Sequence, residues 1–120
     1  MEMLARLLVA LVALEHIGFL VLEMALWTTP RVRRSFGTTE QFARESRALA
    51  ANQGLYNGFL AAGLIWGLVQ PDRNFGFQLQ LFFLGCVIVA GVFGALTAKR
   101  SILYVQAVPA AIALVLVWLA

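Results

Sequence analysis

Residues 3–27 read MLARLLVALVALEHIGFLVLEMALW. This apolar run is as long as a helix must be to cross a hydrocarbon core of about 30 Å, and only Arg6, Glu15, His16 and Glu23 interrupt it. It exceeds the apolar core of roughly 7–15 residues found in a cleavable signal peptide and carries charge through its middle, so it reads as a retained helix. Three more runs follow, at about 49–69, 77–97 and 102–120. Breakers separate them: Thr28-Thr29-Pro30, Gln70-Pro71-Asp72-Arg73-Asn74 and Lys99-Arg100-Ser101. The expected fold is all-α, an integral membrane bundle of four transmembrane helices forming a single domain over residues 1–120, with one substantial loop at about 28–48.

Composition agrees with this reading. Of 120 residues 62% are hydrophobic and 12% charged, against about 45–50% apolar and about 25% charged in an average soluble domain. The net charge of +3 does not point to nucleic acid, because the basic residues sit in loops beside apolar runs and form no basic stripe with exposed aromatics. Arg31, Arg33, Arg34, Arg44, Arg47, Lys99 and Arg100 fall in the first and third loops, and only Arg6 and Arg73 on the opposite side. The positive-inside rule then puts those two loops in the cytoplasm and both termini on the extracytoplasmic side of a bacterial inner membrane. Within the first loop, Thr38-Thr39-Glu40-Gln41 has the spacing of a capping box, so the second helix is expected to begin near Thr39 and to project from the membrane. Its Arg44 and Arg47 would lie near anionic headgroups.

Helices in lipid associate through close backbone approach and interhelical hydrogen bonds. Gly54/Gly58 and Gly63/Gly67 form two GxxxG pairs, and Gly91, Gly94, Ala95 and Ala98 recur along one side of the third run. These read as packing seams, with homodimerisation as the other use of the motif. Pro109 removes a backbone donor inside the fourth run and frees a carbonyl near Val105, which predicts a kink or a hinge.

Ionisable groups within a spanning helix cost about 2.5–3.5 kcal/mol each on insertion scales and so require a cause. At about 100° per residue, His16 and Glu23 lie about 20° apart around the first helix and Glu15 about 80° from Glu23. Seven residues separate His16 from Glu23, about 10.5 Å along the axis, so their partners must come from other helices. Matched by depth, Glu23 falls level with Asn52, Gln53, Tyr56 and Asn57 on the second run and with Tyr104 and Gln106 on the fourth. Glu15 and His16 lie nearer the midplane, toward Cys86. The expected site is a small polar cavity lined by Glu15, His16, Glu23, Asn52, Gln53, Tyr56, Asn57 and Gln106, opening toward the cytoplasmic face. Glu23, Glu15 and His16 are the candidates for acid/base chemistry.

A structural alternative makes these groups interhelical glue, which calls for Asn and Gln but hardly for two glutamates and a histidine. One histidine without an HxxxH or ExxH pattern gives little basis for a metal, and no cofactor is expected. The lone Cys86 has no basic neighbour in sequence and reads as inert packing.

The segments Glu15–Met24 and Ala51-Asn52-Gln53-Gly54-Leu55-Tyr56-Asn57-Gly58-Phe59-Leu60 resemble those of a bacterial family of small membrane proteins, domain of unknown function 1304. Cys86–Gly91 and Val105–Ala110 are similar to its later segments. The resemblance covers the whole chain and implies a four-helix inner-membrane protein, without an activity or a catalytic residue. Three functions follow as expectations. The first is an intramembrane pocket that binds or transports a small molecule with protonatable glutamates. The second is an isomerase-like acid/base enzyme on a small lipid-like substrate. The third is a non-catalytic component of a membrane complex. The lipid bilayer is the partner common to all three.

Overall fold

A computed structural model describes residues 1–120. The chain is all-α, without a strand: α1 (Glu2–Met24), α2 (Pro30–Phe36), α3 (Glu40–Glu45), α4 (Arg47–Val69), α5 (Arg73–Thr97), and a π-helical segment (Leu103–Ala107) leading into α6 (Val108–Leu119). α1 and α5 are long and apolar enough to cross a membrane, with mean hydropathies of 2.1 and 2.3. α4 is equally long but carries Arg47, Asn52, Gln53 and Asn57, and the apolar stretch Leu103–Leu119 is shorter. The chain divides into two compact units, one made of residues 1–14 and 60–120 and the other of residues 15–59.

In the first unit, side-chain size decides what faces inward. Ala5, Val9, Val12 and Ala13 of α1, Leu64 of α4, Leu84 and Val87 of α5, and Ala110, Ala113 and Val117 of α6 form one buried cluster. The larger Leu4, Leu7, Leu11 and Leu14 of the same stretch of α1 are exposed, as are Ile112, Val115 and Trp118 of α6. Small inward residues let backbones approach. A Cβ added at Gly91 would lie 2.7 Å from the Ala107 amide nitrogen and 2.8 Å from its Cβ, so α5 and the π segment meet almost backbone to backbone. Gly67 approaches α5 in the same way, and the buried Gln80 donates its side-chain amide to the Gly67 carbonyl at 3.0 Å.

The ends of α5 and α6 follow from local chemistry. Asp72 caps α5 by accepting from the amides of Asn74 and Phe75 at 3.0 and 3.1 Å, satisfying two of the free donors at a helix start. This cap starts α5 four residues before the expected Phe77. The fourth apolar run is not one regular helix. Pro109 cannot donate and its ring crowds the carbonyl four residues back. The turn before it widens to π geometry, with the Val108 amide reaching five residues back to the Leu103 carbonyl.

In the second unit, the stretch expected to be a loop holds two short helices. Thr29 precedes Pro30, whose fixed φ suits the first turn of α2. Gly37, at φ 69°, ends it in the left-handed conformation, with the Gly37 amide bonded to the Arg34 carbonyl and the Thr38 amide to that of Arg33. That pair of bonds is the Schellman closure. Thr39, not Thr38, is the cap of α3: its hydroxyl accepts from the Phe42 amide at 3.1 Å, while Gln41 turns forward to Glu45. A helix does begin after Thr39, but it does not run unbroken into α4. The Ser46 hydroxyl donates to the Phe42 carbonyl at 2.7 Å and accepts from the Trp27 indole at 3.0 Å. That back-bonding bends the path between Glu45 and Arg47.

The Gly91 contact yields a paired prediction. Gly91→Ala should destabilise the protein by about 1–3 kcal/mol through overpacking against Ala107. Gly85→Ala, where nothing lies within 4 Å of the added carbon, should be neutral or slightly stabilising. Reversible unfolding in mixed micelles, followed by tryptophan fluorescence, measures both. Equal midpoints for the two variants would contradict the close approach.

Candidate functional site

In the second unit α1 and α4 meet at glycines. A Cβ at Gly54 would lie 2.7 Å from Met24 Cγ and 3.1 Å from Glu23 Cβ, and one at Gly58 would lie 2.6 Å from Leu20 Cδ1. Asn57 is seated between them on the same face of α4. It is buried, and its side-chain amide donates to Glu23 Oε1 at 2.6 Å. Of the amides expected opposite Glu23, the structure brings this one.

The other expected members of the polar arc lie elsewhere. Asn52, Gln53 and Tyr56 are exposed, and the Tyr56 ring lies against Phe59, with centroids 6.1 Å apart. The reason is helix rotation. Gly54 and Gly58 take the line of closest approach, so Gln53, about 40° from Asn57, falls at the edge of the face, and Asn52 lies well round the helix. Gln106 is half-buried on the π segment, in the first unit. Tyr104, on that segment too, is exposed.

Glu15 and His16 form the second part of the arrangement. His16 is fully buried, its ring edge-on to Phe19 with centroids 5.2 Å apart. His16 Nδ1 lies 3.9 Å from Glu15 Oε1, within range of a charge interaction if the ring is protonated but too far for a hydrogen bond. That oxygen is buried and accepts no hydrogen bond. A buried polar atom with no protein donor is one that a ligand donor can pair with. Glu15, His16 and Glu23 do not converge as a metal cluster, and no group of three metal-binding side chains occurs.

A feature missed in the sequence lies in the first unit. A cavity of about 240 Å³ is bordered by Glu2, Arg6, Gln70, Arg73, Phe77 and Gln80. The available signal was Gln80, an amide inside an apolar run. Arg6 and Arg73 were read only as topology markers.

The chain is similar to known proteins along nearly its whole length. The model of a family described as protein of unknown function (DUF1304) matches residues 10–118. This is the family that the Glu15–Met24 and Ala51–Leu60 segments resemble. The uncharacterized protein YpaA of Lactococcus lactis subsp. lactis (strain IL1403) is 30% identical over 117 residues, covering 96% of this chain and 97% of that protein. No solved structure matches the chain significantly.

The Glu23–Asn57 bond should appear as coupling. In a double-mutant cycle of Glu23→Ala and Asn57→Ala, unfolding in micelles should give an interaction free energy of about 0.5–2 kcal/mol. Additive effects of the two substitutions would show that the bond contributes nothing to stability.

Proposed function

We propose, from the premise that the chain belongs to the DUF1304 family of proteins of unknown function, that it is a multi-pass inner-membrane protein binding a small molecule beside Glu15, His16 and Glu23. Its four long apolar segments are the spans, and both termini lie on the extracytoplasmic side.

The membrane reading is supported by the outward faces. Leu4, Leu7, Leu11 and Leu14 of α1, Phe82, Val89, Phe93 and Leu96 of α5, and Ile112 and Val115 of α6 are all exposed, while Ala5, Ala13, Gly67, Gly91, Ala110 and Ala113 turn inward. In water such a surface would associate; in lipid it is the solvated surface. α4 is less apolar than α1 and α5 in part because it supplies Asn57 opposite Glu23 of α1, as expected of a span that faces a polar site. The seven basic residues of the first and third loops against two on the other side support the orientation.

One observation carries the site: the buried Glu15 oxygen without a donor, next to the buried His16. Groups serving only as glue would be satisfied by one another, as Glu23 is by Asn57. An unsatisfied carboxylate beside an imidazole suits a ligand that brings its own donor, an N–H, an O–H or an exchangeable proton. The function proposed is binding, with proton-coupled transport of the bound solute as its use. The neighbouring Glu15 and His16 also favour a second reading, acid/base catalysis on a small lipid-like substrate, because a carboxyl and an imidazole side by side can exchange a proton.

Protein extracted from its own membrane should carry a small molecule in its native mass spectrum. Glu15→Gln and His16→Ala should reduce that occupancy about tenfold or more, equivalent to at least ~1.4 kcal/mol of binding. Wild-type protein with no bound molecule, together with vesicles showing neither proton nor solute flux, would refute both binding and transport. Bound molecule without flux, joined to a lipid profile altered by deletion and not restored by Glu15→Gln, would favour the catalytic reading.

A further inference from the structure

The cavity of the first unit brings together opposite charges and the buried amide of Gln80, with Phe77 on its border. Its border is assembled from the start of α1, the end of α4, the start of α5 and the end of α6. Two guanidiniums, Arg6 and Arg73, and one carboxylate, Glu2, are the charged side chains of its lining.

Each guanidinium is only partly committed. Arg6 donates from Nη2 to the Leu68 carbonyl at 2.9 Å, one of the unanswered carbonyls at the end of α4. Arg73 donates from Nη2 to Glu2, and that pair is exposed. Arginine has five N–H donors in a planar fork, so both keep donors in the arrangement that matches a tetrahedral oxyanion. Gln80 is nine-tenths buried and borders the same space. Its nitrogen is held by the Gly67 carbonyl, which leaves its oxygen as an acceptor. The wall between α4 and α5 is closely packed, since a Cβ at Gly76 would lie 2.8 Å from the Gly67 carbonyl oxygen.

We propose that this cavity binds an aminophosphate group, with the phosphate held by Arg6 and Arg73 and the ammonium by Glu2 and the Gln80 oxygen. Glu2 accepts from Arg73 through Oε1 and has its second oxygen for an ammonium, so a zwitterion uses both signs of the lining. The volume, about 240 Å³, is below the roughly 300–1,000 Å³ of sites for drug-sized ligands, and fits a headgroup rather than a larger cofactor. Phe77 borders the cavity with Trp118 beside it, ring centroids 5.9 Å apart, and Trp66 stands edge-on to Phe75 at 5.5 Å. Trp66, Phe75 and Trp118 are exposed. Aromatics exposed near the ends of apolar helices belong at the headgroup level of a bilayer, so the favoured source is the headgroup of an aminophospholipid. The lipid source rests on the membrane reading; aminophosphate recognition does not.

Delipidated full-length protein in mild detergent should be offered phosphatidylethanolamine, phosphatidylglycerol and, separately, free phosphoethanolamine, with retention read by native mass spectrometry. Phosphatidylethanolamine should be retained, and Arg6→Gln and Arg73→Gln should each lower its retention about tenfold. Glu2→Gln should abolish its preference over phosphatidylglycerol while the phosphate is still held. Because Arg6 also holds the end of α4, helix content and unfolding midpoint are measured alongside, and Arg73→Gln provides the test if Arg6→Gln unfolds. Retention of the lipid with no binding of free phosphoethanolamine identifies a headgroup site; binding of the free molecule without the lipid identifies a soluble aminophosphate, and either result supports the recognition proposed. Wild-type protein that holds none of the three probes overturns the proposal. So does a folded Arg73→Gln protein that holds phosphatidylethanolamine as well as the wild type. Absence of flux in the vesicle experiment does not bear on this outcome, because neither Glu15 nor Glu23 borders the cavity.

Discussion

The absence of side chains at a few helix positions governs the packing of this protein. Gly54 and Gly58 meet α1, Gly67 meets α5 and Gly91 meets the π segment, each at distances that a single added carbon would violate. Once backbones are that close, little space remains between helices, and it is filled mostly by alanine and valine, with Leu64 and Leu84 as the larger members. Many other large residues are displaced to the outer faces. Association of this kind draws on van der Waals contact and on a few interhelical polar bonds rather than on the transfer of large apolar side chains from water. The polar bonds sit beside the glycines for the same reason. Asn57 reaches Glu23 between Gly54 and Gly58, and Gln80 reaches the carbonyl of Gly67 itself.

The helical nature of the chain and the positions of its apolar segments were legible because both depend on local composition: long apolar stretches and the Pro, Asp and Asn that interrupt them. The short helices of residues 30–45 were marked as well, by Pro30, Gly37 and Thr39, but the same residues serve as breakers in a loop, and only their backbone conformations distinguish the uses. The break at Ser46 goes with its local bond to the Phe42 carbonyl, while the Trp27 indole that donates to the same hydroxyl is nineteen residues away and had no local sign. Pro109 signalled a disturbance without indicating that it would take the form of a widened turn.

For the candidate site, helical geometry could place Asn57 and Glu23 on facing surfaces, since both angles and depths follow from residue number. It could not fix the absolute rotation of α4. That is set by where Gly54 and Gly58 allow contact, and it leaves Gln53 and Tyr56 outside. The cavity was less legible still. Glu2 and Arg6 are more than sixty residues from Gln70 and Arg73, and nothing local to either pair indicates that they border one space. Gln80, whose amide inside an apolar run has to be satisfied somewhere, was the one residue that pointed there.

The widened turn before Pro109 also has an electrostatic side. Proline supplies no N–H, so one carbonyl in the preceding turn loses its helical donor, and it does so within one of the most apolar stretches of the chain. Unlike a side-chain carboxyl, a backbone carbonyl carries no ionisable proton. The turn before Pro109 therefore holds an acceptor that belongs to the backbone rather than to any side chain of Leu103–Ala107.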